Sequence, residues 1–241
     1  MRIDPLSSGG VGLALKGLPR ISSGGAAEVA SNKSLGETPP IILSLDQIGE
    51  LAPLFGETGF LGRLRKRLNY LKNKKCVLVP ADGTTACVDD NDVVYVGVGF
   101  LKKYLIDKDG KDEKGKDHGE EVIAGVLAHE WGHSCAMKPR RDEIQKLNWN
   151  QIFELRRAHE TLADEISGRL LFMMGYTPQG IKTFLARKGD THNLKYHTPE
   201  IRAQVIQYGF EAEKRKAKLA RQLFPNSTYD NQYNSILLDI A

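Results

Sequence analysis

The sequence has few cysteines and no long apolar run. Its 241 residues contain only Cys76, Cys87 and Cys135; an odd, small number of cysteines argues against a disulfide scaffold and fits a reducing compartment. No apolar run approaches the ~20 residues needed to cross a bilayer. The apolar piece near the N-terminus, VGLAL, is shorter than the ~7–15-residue core of a secretory signal. We therefore expect a soluble protein without a transmembrane anchor, located in the cytoplasm or exported by a route other than Sec.

Strong charge of one sign is also missing. The formal net charge is +4, which is too small to indicate a partner by itself. We expect no nucleic-acid partner. Hydrophobic residues make up 41% of the chain and charged residues 27%, a composition typical of a globular domain with a buried core.

The chain divides into three parts by composition. Residues 1–40 are rich in Gly, Ser and Pro and lack periodicity, which predicts a flexible leader. A disordered tail is the plain interpretation of this leader, and a propeptide or a non-Sec export signal are the alternatives. Residues 41–222 form the predicted domain, and residues 223–241 a C-terminal tail. The sequence indicates no oligomeric state.

The hydrophobic pattern predicts an α+β fold that is mostly helical, with a small β-sheet beside the helix at 120–138. Thr58 is a predicted helix cap within a helical region at 44–75, whose basic face we expect to be solvated, with peripheral membrane contact as the alternative. Strands are predicted at 76–80 and 93–99, and a mobile charged loop at 106–119. Further helices are predicted at 120–138, from Asp142 or Asn150 to Gly175, at 178–188 and at 199–222.

The segment EVIAGVLAHEWGHSCAM, residues 121–137, carries the strongest chemical signal. His129 and His133 are four residues apart, so on a helix they lie on one face and can bind a single metal ion. Glu130 points about 100° away around the helix axis, so it can reach metal-bound water without being a ligand. This spacing is the H-E-x-x-H pattern of zinc peptidases, with Glu130 as the catalytic base. The alternative is a helix with two ordinary histidines.

A third ligand would decide between these interpretations, because catalytic zinc usually takes three protein ligands. The metzincin pattern is excluded, since Ala136 and Pro139 occupy the positions where it requires Gly and His. Downstream, Glu160 and Asp164 are again four residues apart on a predicted helix. We predict that Glu160 completes a site for one Zn²⁺ per chain. Asp164 can accept a hydrogen bond from the outer nitrogen of a ligating histidine.

The chain resembles the HtpX-like, BepA-like and CAAX-prenyl-protease family of gluzincin metallopeptidases. AGVLAHEWGH, ETLAD and MGYTP look like the three elements of that family's pattern, and DDNDVVYVGVGFLKKYL is similar to its edge strand and following helix. YHTPEIRAQVI, residues 196–206, is similar to its H-P segment and later Arg, although Thr198 separates His197 from Pro199. The similarity covers residues 76–206; the charged loop at 106–119 and the absence of membrane helices are departures. The resemblance implies a zinc-dependent endopeptidase with ligands His129, His133 and Glu160 and base Glu130.

Other site residues are predicted with less support from the pattern. His192, Tyr196, His197 and Arg202 are candidate donors to the transition-state oxygen, and His197 is also a candidate cap on resting zinc. For substrate binding, we predict that a peptide adds to an exposed edge strand formed by Val94, Tyr95, Val96 and Gly97.

The expected partner is therefore a peptide or protein substrate. Three other interpretations remain from the sequence. A catalytically silent relative would bind zinc and peptides without cleavage. A secreted effector protease would cleave one narrow target. A membrane- or nucleic-acid-binding module would rely on the basic helices without a metal.

Overall fold

The computed structural model describes residues 40–111, 115–136, 141–188 and 196–223. The predicted leader, apart from Pro40, and residues 224–241 of the predicted tail lie outside the described residues. The described chain combines helices with one small mixed sheet, so the predicted α+β class is confirmed.

The helices and strands follow one another in a simple order. The N-terminal helices are α1 (Leu45–Ile48), α2 (Ala52–Phe55) and α3 (Phe60–Lys72), with a 3-10 turn at Gly49–Leu51. The strands are β1 (Val77–Ala81), β2 (Ala86–Val88) and β3 (Val93–Gly97), followed by α4 (Val98–Leu101) and a π-helical turn at Lys102–Ile106. The C-terminal helices are α5 (Gly119–Cys135), α6 (Arg141–Ile144), α7 (Trp149–Met174), α8 (Gln179–Lys188) and α9 (Pro199–Leu223).

The predicted helical region at 44–75 is interrupted. Ser44 and Gln47 form a capping box at the start of α1, but the chain leaves helical geometry at Gly56, where ψ is 161°. The next helix, α3, begins after Gly59 and has no side-chain cap. The prediction that Thr58 caps this helix is therefore wrong, because Gly59 occupies the cap position in extended geometry.

The sheet has the order β1–β3–β2. β3 pairs with β1 in parallel and with β2 in antiparallel orientation, and Val94 and Val96 on it are fully buried. The prediction that Val94, Tyr95, Val96 and Gly97 form an exposed edge is therefore wrong. The backbone of β3 already pairs with a strand on each side. A strand whose side chains are apolar and buried is typical of the interior of a sheet.

Because Gly97 has no side chain, another segment of the same chain approaches its backbone closely. A Cβ atom at Gly97 would lie 2.5 Å from the carbonyl oxygen of Gly83, and the Gly97 N–H donates to the Thr85 carbonyl at 2.9 Å. The turn before β2 therefore lies against the end of β3, where we had predicted that a substrate peptide would bind. β2 itself lies in a segment for which the sequence predicted only turns.

The helices α5, α7, α8 and α9 pack against one another. α7 packs between α5 and α9, and α8 lies against both α5 and α9. α5 is buried around most of its circumference, as expected of a helix that contacts α7, α8 and β2. Asn148 caps α7, and Gly175 ends it in the left-handed conformation at φ 78°. Of the two predicted starts, Asn150 is close to the observed one, whereas Asp142 lies in the separate helix α6; the predicted end at Gly175 is confirmed.

No helix in the described part of the chain is both long and apolar enough to cross a bilayer.

Candidate metal centre

His129 and His133 lie one turn apart near the C-terminal end of α5. Gly132, between them, lets α7 approach closely, since a Cβ atom there would lie 2.8 Å from the Ala163 Cα. The Ser167 hydroxyl donates to the Gly125 carbonyl at 3.0 Å and joins the same two helices one turn away. α5 and α7 are therefore held at backbone contact at the level of the histidines.

Glu160 on α7 reaches the two histidines across this contact. The Nε2 atoms of His129 and His133 are 3.1 Å apart. Glu160 Oε2 lies 3.2 Å from His129 Nε2, and Glu160 Oε1 lies 3.5 Å from His133 Nε2. Among the described residues, this group is the one set of His, Cys, Asp and Glu side chains that could hold a metal ion.

The spacing of these atoms fits a tetrahedral metal. Ligand bonds of about 2.0–2.2 Å in tetrahedral zinc sites place neighbouring ligand atoms about 3.3–3.6 Å apart, and the three observed distances of 3.1, 3.2 and 3.5 Å are close to that range. The Glu160 Oε2 atom is buried and accepts no hydrogen bond within the described residues. Because leaving a buried carboxylate oxygen without a donor is unfavourable, this atom fits a bound cation.

The electrostatics of the cluster also favour positive charge. Burial lowers the pKa of His129, but Asp164 and Glu160 raise it more strongly, to about 10. Burial raises the pKa of Glu160, but the interactions with His129 and His133 beside it hold it far below its usual range. In the metal-free protein a proton on His129 therefore supplies the positive charge that a metal ion would otherwise bring.

Asp164 contacts the other ring nitrogen of His129, Nδ1. Its Oδ1 atom lies 2.8 Å from His129 Nδ1, within hydrogen-bonding distance, although the ring N–H is not aimed well at the oxygen. Asp164 is 1% exposed, and it accepts two hydrogen bonds from Arg202 of α9, at 2.8 and 2.9 Å. Burial raises the pKa of Asp164, but His129 and Arg202 together hold it below its usual value. Asp164 therefore remains a carboxylate and orients the His129 ring.

Glu130 lies beside the cluster and is not part of it. It is 8% exposed, and the backbone N–H of Val88 in β2 is among the groups that lower its pKa. Burial raises its pKa, which His129 and His133 partly offset. A carboxylate with a raised pKa next to a metal site is suited to taking up and releasing a proton near neutral pH.

The remaining predicted site residues are distributed unevenly. Arg202 reaches the site, but its guanidinium is engaged by Asp164 and lies 3.8 Å from Glu160 Oε2. Tyr196 stacks against Arg202, with 5.2 Å between the guanidinium carbon and the ring centroid. His197 is half-buried just before α9, and the structure does not bring it into the metal-ligand group. His192 lies outside the described residues.

Sequence reasoning missed two contributions to the site. One is the position of Val88 beside Glu130, which depends on β2, a strand that was not predicted. The other is the partnership of Arg202 with Asp164, because Arg202 was considered only as a donor to substrate. No local signal marks either contact, since Arg202 and Asp164 are 38 residues apart in the chain.

A comparison of the chain with family profiles, with curated proteins and with solved structures found no match in any of the three.

Proposed function

We propose that this protein is a zinc-dependent metallopeptidase. The observation that carries the proposal is the convergence of two imidazole nitrogens and one carboxylate at 3.1–3.5 Å, with Glu130 next to them and outside the ligand group. Two helices supply these groups, so the site depends on the folded chain.

The ligand set favours zinc over other divalent ions. Imidazole suits zinc, whereas magnesium and calcium prefer sites made of oxygen ligands alone. Three protein ligands leave a coordination position open, which is typical of catalytic zinc, whereas structural zinc usually takes four protein ligands. Bound zinc would supply Lewis acidity, which makes water a nucleophile near neutral pH and polarises a carbonyl group.

Glu130 is the general base in this proposal. It takes a proton from the attacking water and later delivers that proton to the leaving amine. Burial raises its pKa, which makes it a stronger base than an ordinary carboxylate. Asp164, which pairs with Arg202, holds His129 in place.

β2 is the strand to which we now assign substrate binding. Thr85 and Asp89, on either side of β2, are bonded to β3: the Thr85 carbonyl accepts from the Gly97 N–H, and the Asp89 N–H donates to the Val93 carbonyl. In the alternating pattern of an antiparallel ladder, Ala86 and Val88 then direct their N–H and C=O groups away from β3. No described strand pairs with that edge. β2 packs against α5, the helix that carries Glu130, and the Val88 N–H is close enough to lower the pKa of Glu130. An extended peptide that adds to this edge would therefore pass the catalytic base.

The test combines metal content with turnover. We expect the purified protein to contain about one zinc per chain by elemental analysis and to cleave casein. Glu130→Gln should keep the zinc and lower kcat about 10²–10⁴-fold, the usual contribution of a general base. Glu154→Gln, on the exposed face of α7, is the matched control and should behave as the wild type.

Two results would overturn the proposal. Wild-type turnover by Glu130→Gln would show that the assigned base is wrong. Stoichiometric zinc with no cleavage of any denatured protein would favour the catalytically silent, peptide-binding interpretation.

A further inference from the structure

Lys188, the last residue of α8, lies on the same side of the molecule as the metal centre. A Cβ atom at Gly180 would lie 2.5 Å from the Val122 N, and one at Gly125 would lie 2.7 Å from the Ile181 Cβ. α8 therefore runs in the same direction as α5. Residues at the C-terminal end of α8 lie toward the end of α5 that carries the histidines.

The electrostatic surroundings of Lys188 agree with this placement. Burial lowers the pKa of its ammonium, Arg202 lowers it further, and Glu130 and Glu160 raise it. All three of these residues belong to the site described above. The Nζ atom stands 4.9 Å from the Phe184 ring centroid, in a cation–π contact, while the residue as a whole remains exposed to solvent.

Lys188 differs from its neighbour Arg187. Arg187 donates to the Lys111 carbonyl at 2.7 Å and pairs with Asp109 at 3.5 Å. Lys188 has no carboxylate within 4.0 Å among the described residues, since none of the ion pairs there includes it. Its interactions with Glu130 and Glu160 act over longer distances.

Among the residues that the structure describes, the charges around the site leave Lys188 uncompensated. A divalent metal ion would be balanced by Glu130 and Glu160, and Asp164 is balanced by Arg202. The ammonium of Lys188 is then a net positive charge beside the metal centre and in reach of solvent. A ligand that carries negative charge would be attracted to it, and a carboxylate is the negative group that peptides offer.

We propose that Lys188 forms a carboxylate-binding subsite, so that the protein prefers peptides with a carboxylate close to the scissile bond. This inference rests on the proposed peptidase function. The carboxylate comes either from an aspartate or glutamate side chain or from the free C-terminus of the substrate, and both present the same chemistry to an ammonium group.

The test measures binding separately from turnover. Short fluorescent alanine–leucine peptides carry one glutamate or glutamine at successive positions, each with a free or an amidated C-terminus. Their affinities are measured with the zinc-loaded, full-length Glu130→Gln chain, which should bind without cleaving. Adding Lys188→Gln should weaken the best carboxylate peptide about ten-fold, the usual scale of a charge-assisted contact, and change its neutral counterpart less than about two-fold.

Two matched variants serve as controls. Lys188→Arg keeps the charge and should keep most of the preference. Lys182→Gln removes a lysine from the same helix, where it contacts Gln207 at 3.4 Å, and should leave the preference unchanged. In the active chain, Lys188→Gln should raise KM for carboxylate peptides with little change in kcat.

Each outcome decides the proposal. A loss confined to glutamate peptides assigns the subsite to an acidic side chain, and a loss confined to free C-termini assigns it to the terminal carboxylate. Equal weakening of charged and neutral peptides, no weakening at all, or no binding of any peptide would overturn the subsite. Lys188-dependent binding together with a wild-type chain that cleaves nothing would overturn the peptidase function and leave the subsite standing.

Discussion

The two faces of α7 pack in the same way and carry different chemistry. On one face, α7 meets α5 at backbone contact where Gly132 approaches Ala163. On the other face it meets α9, where a Cβ atom at Gly168 would lie within 1.9 Å of the Ile206 carbonyl oxygen. We call these the α5 interface and the α9 interface.

The difference lies in the side chains beside each glycine. The α5 interface encloses two histidines and two carboxylates, with Asp164 1% and His129 8% exposed. The α9 interface buries Ile206 and Ala217. Close packing therefore positions side chains at both interfaces. Only at the α5 interface do acidic side chains of α7 face histidines, so only there can a metal ion be held. α9 reaches the site through one residue, Arg202.

The largest expected effect comes from removing the acid that faces α5. Glu160→Ala should lower zinc affinity more than about 100-fold, because even the loss of an outer partner of a ligand costs about 10–100-fold. Glu165→Ala is the matched control one turn along α7, where Glu165 pairs with Arg169 at 2.6 Å. Elemental analysis after dialysis measures both variants. Unchanged zinc in Glu160→Ala would move the third ligand elsewhere.

Asp164 links the two interfaces, and its replacement should affect both. Asp164→Asn should lower zinc affinity about 10–100-fold, because His129 loses the carboxylate that orients it. It should also lower the free energy of unfolding of the metal-free protein by about 3 kcal/mol, since the Arg202 charge stays nearly buried without its partner. Zinc competition and urea unfolding in chelator measure the two effects. If the double variant Asp164→Asn with Arg202→Gln is no more stable than Asp164→Asn alone, the buried pair is not the cause.

The stability effect of Asp164→Asn should depend on pH. The pKa of Asp164 is held below its ordinary value in the folded protein, so its contribution is fully present above the unfolded pKa of about 3.9. That contribution is lost as the pH falls through the folded pKa, where both states become protonated. Because Asp164 also raises the pKa of His129, wild type and Asp164→Asn are compared below about pH 5.5, where His129 of the unfolded chain is already protonated. There the difference in urea midpoint should be largest near pH 5 and shrink below about 4. A difference that grows on acidification would contradict the ion-pair explanation.

The smallest effects separate packing from chemistry. Gly132→Ala and Gly168→Ala should each lower the free energy of unfolding by about 1–3 kcal/mol, because a methyl group must displace the facing backbone. Gly132→Ala should also weaken zinc binding, since it shifts Glu160 relative to the histidines. Gly168→Ala should leave zinc affinity of the folded protein unchanged. Equal effects of the two substitutions on zinc binding would show that the α5 interface has no special role in holding the site.

Much of the helical framework could be predicted from sequence. The helix at 199–222 and the end of α7 at Gly175 agree with the structure because periodicity and helix stop signals are local. The interruption of the helical region at 44–75 was not predicted. The break at Gly56 and the start of α3 after Gly59 depend on how the chain turns back on itself. The sheet was the weakest prediction, because strand order is set by contacts that no local pattern reports.

The sequence by itself determined that His129 and His133 share one helix face and that Glu160 and Asp164 share another, because the α-helical repeat fixes which residues lie together. Only the tertiary structure decided that these two faces meet, that β3 is central, that β2 packs beside the helix of Glu130, and that Arg202 is engaged by Asp164. Each of these depends on the packing of elements that are distant in the chain, and such contacts form only when the whole core does.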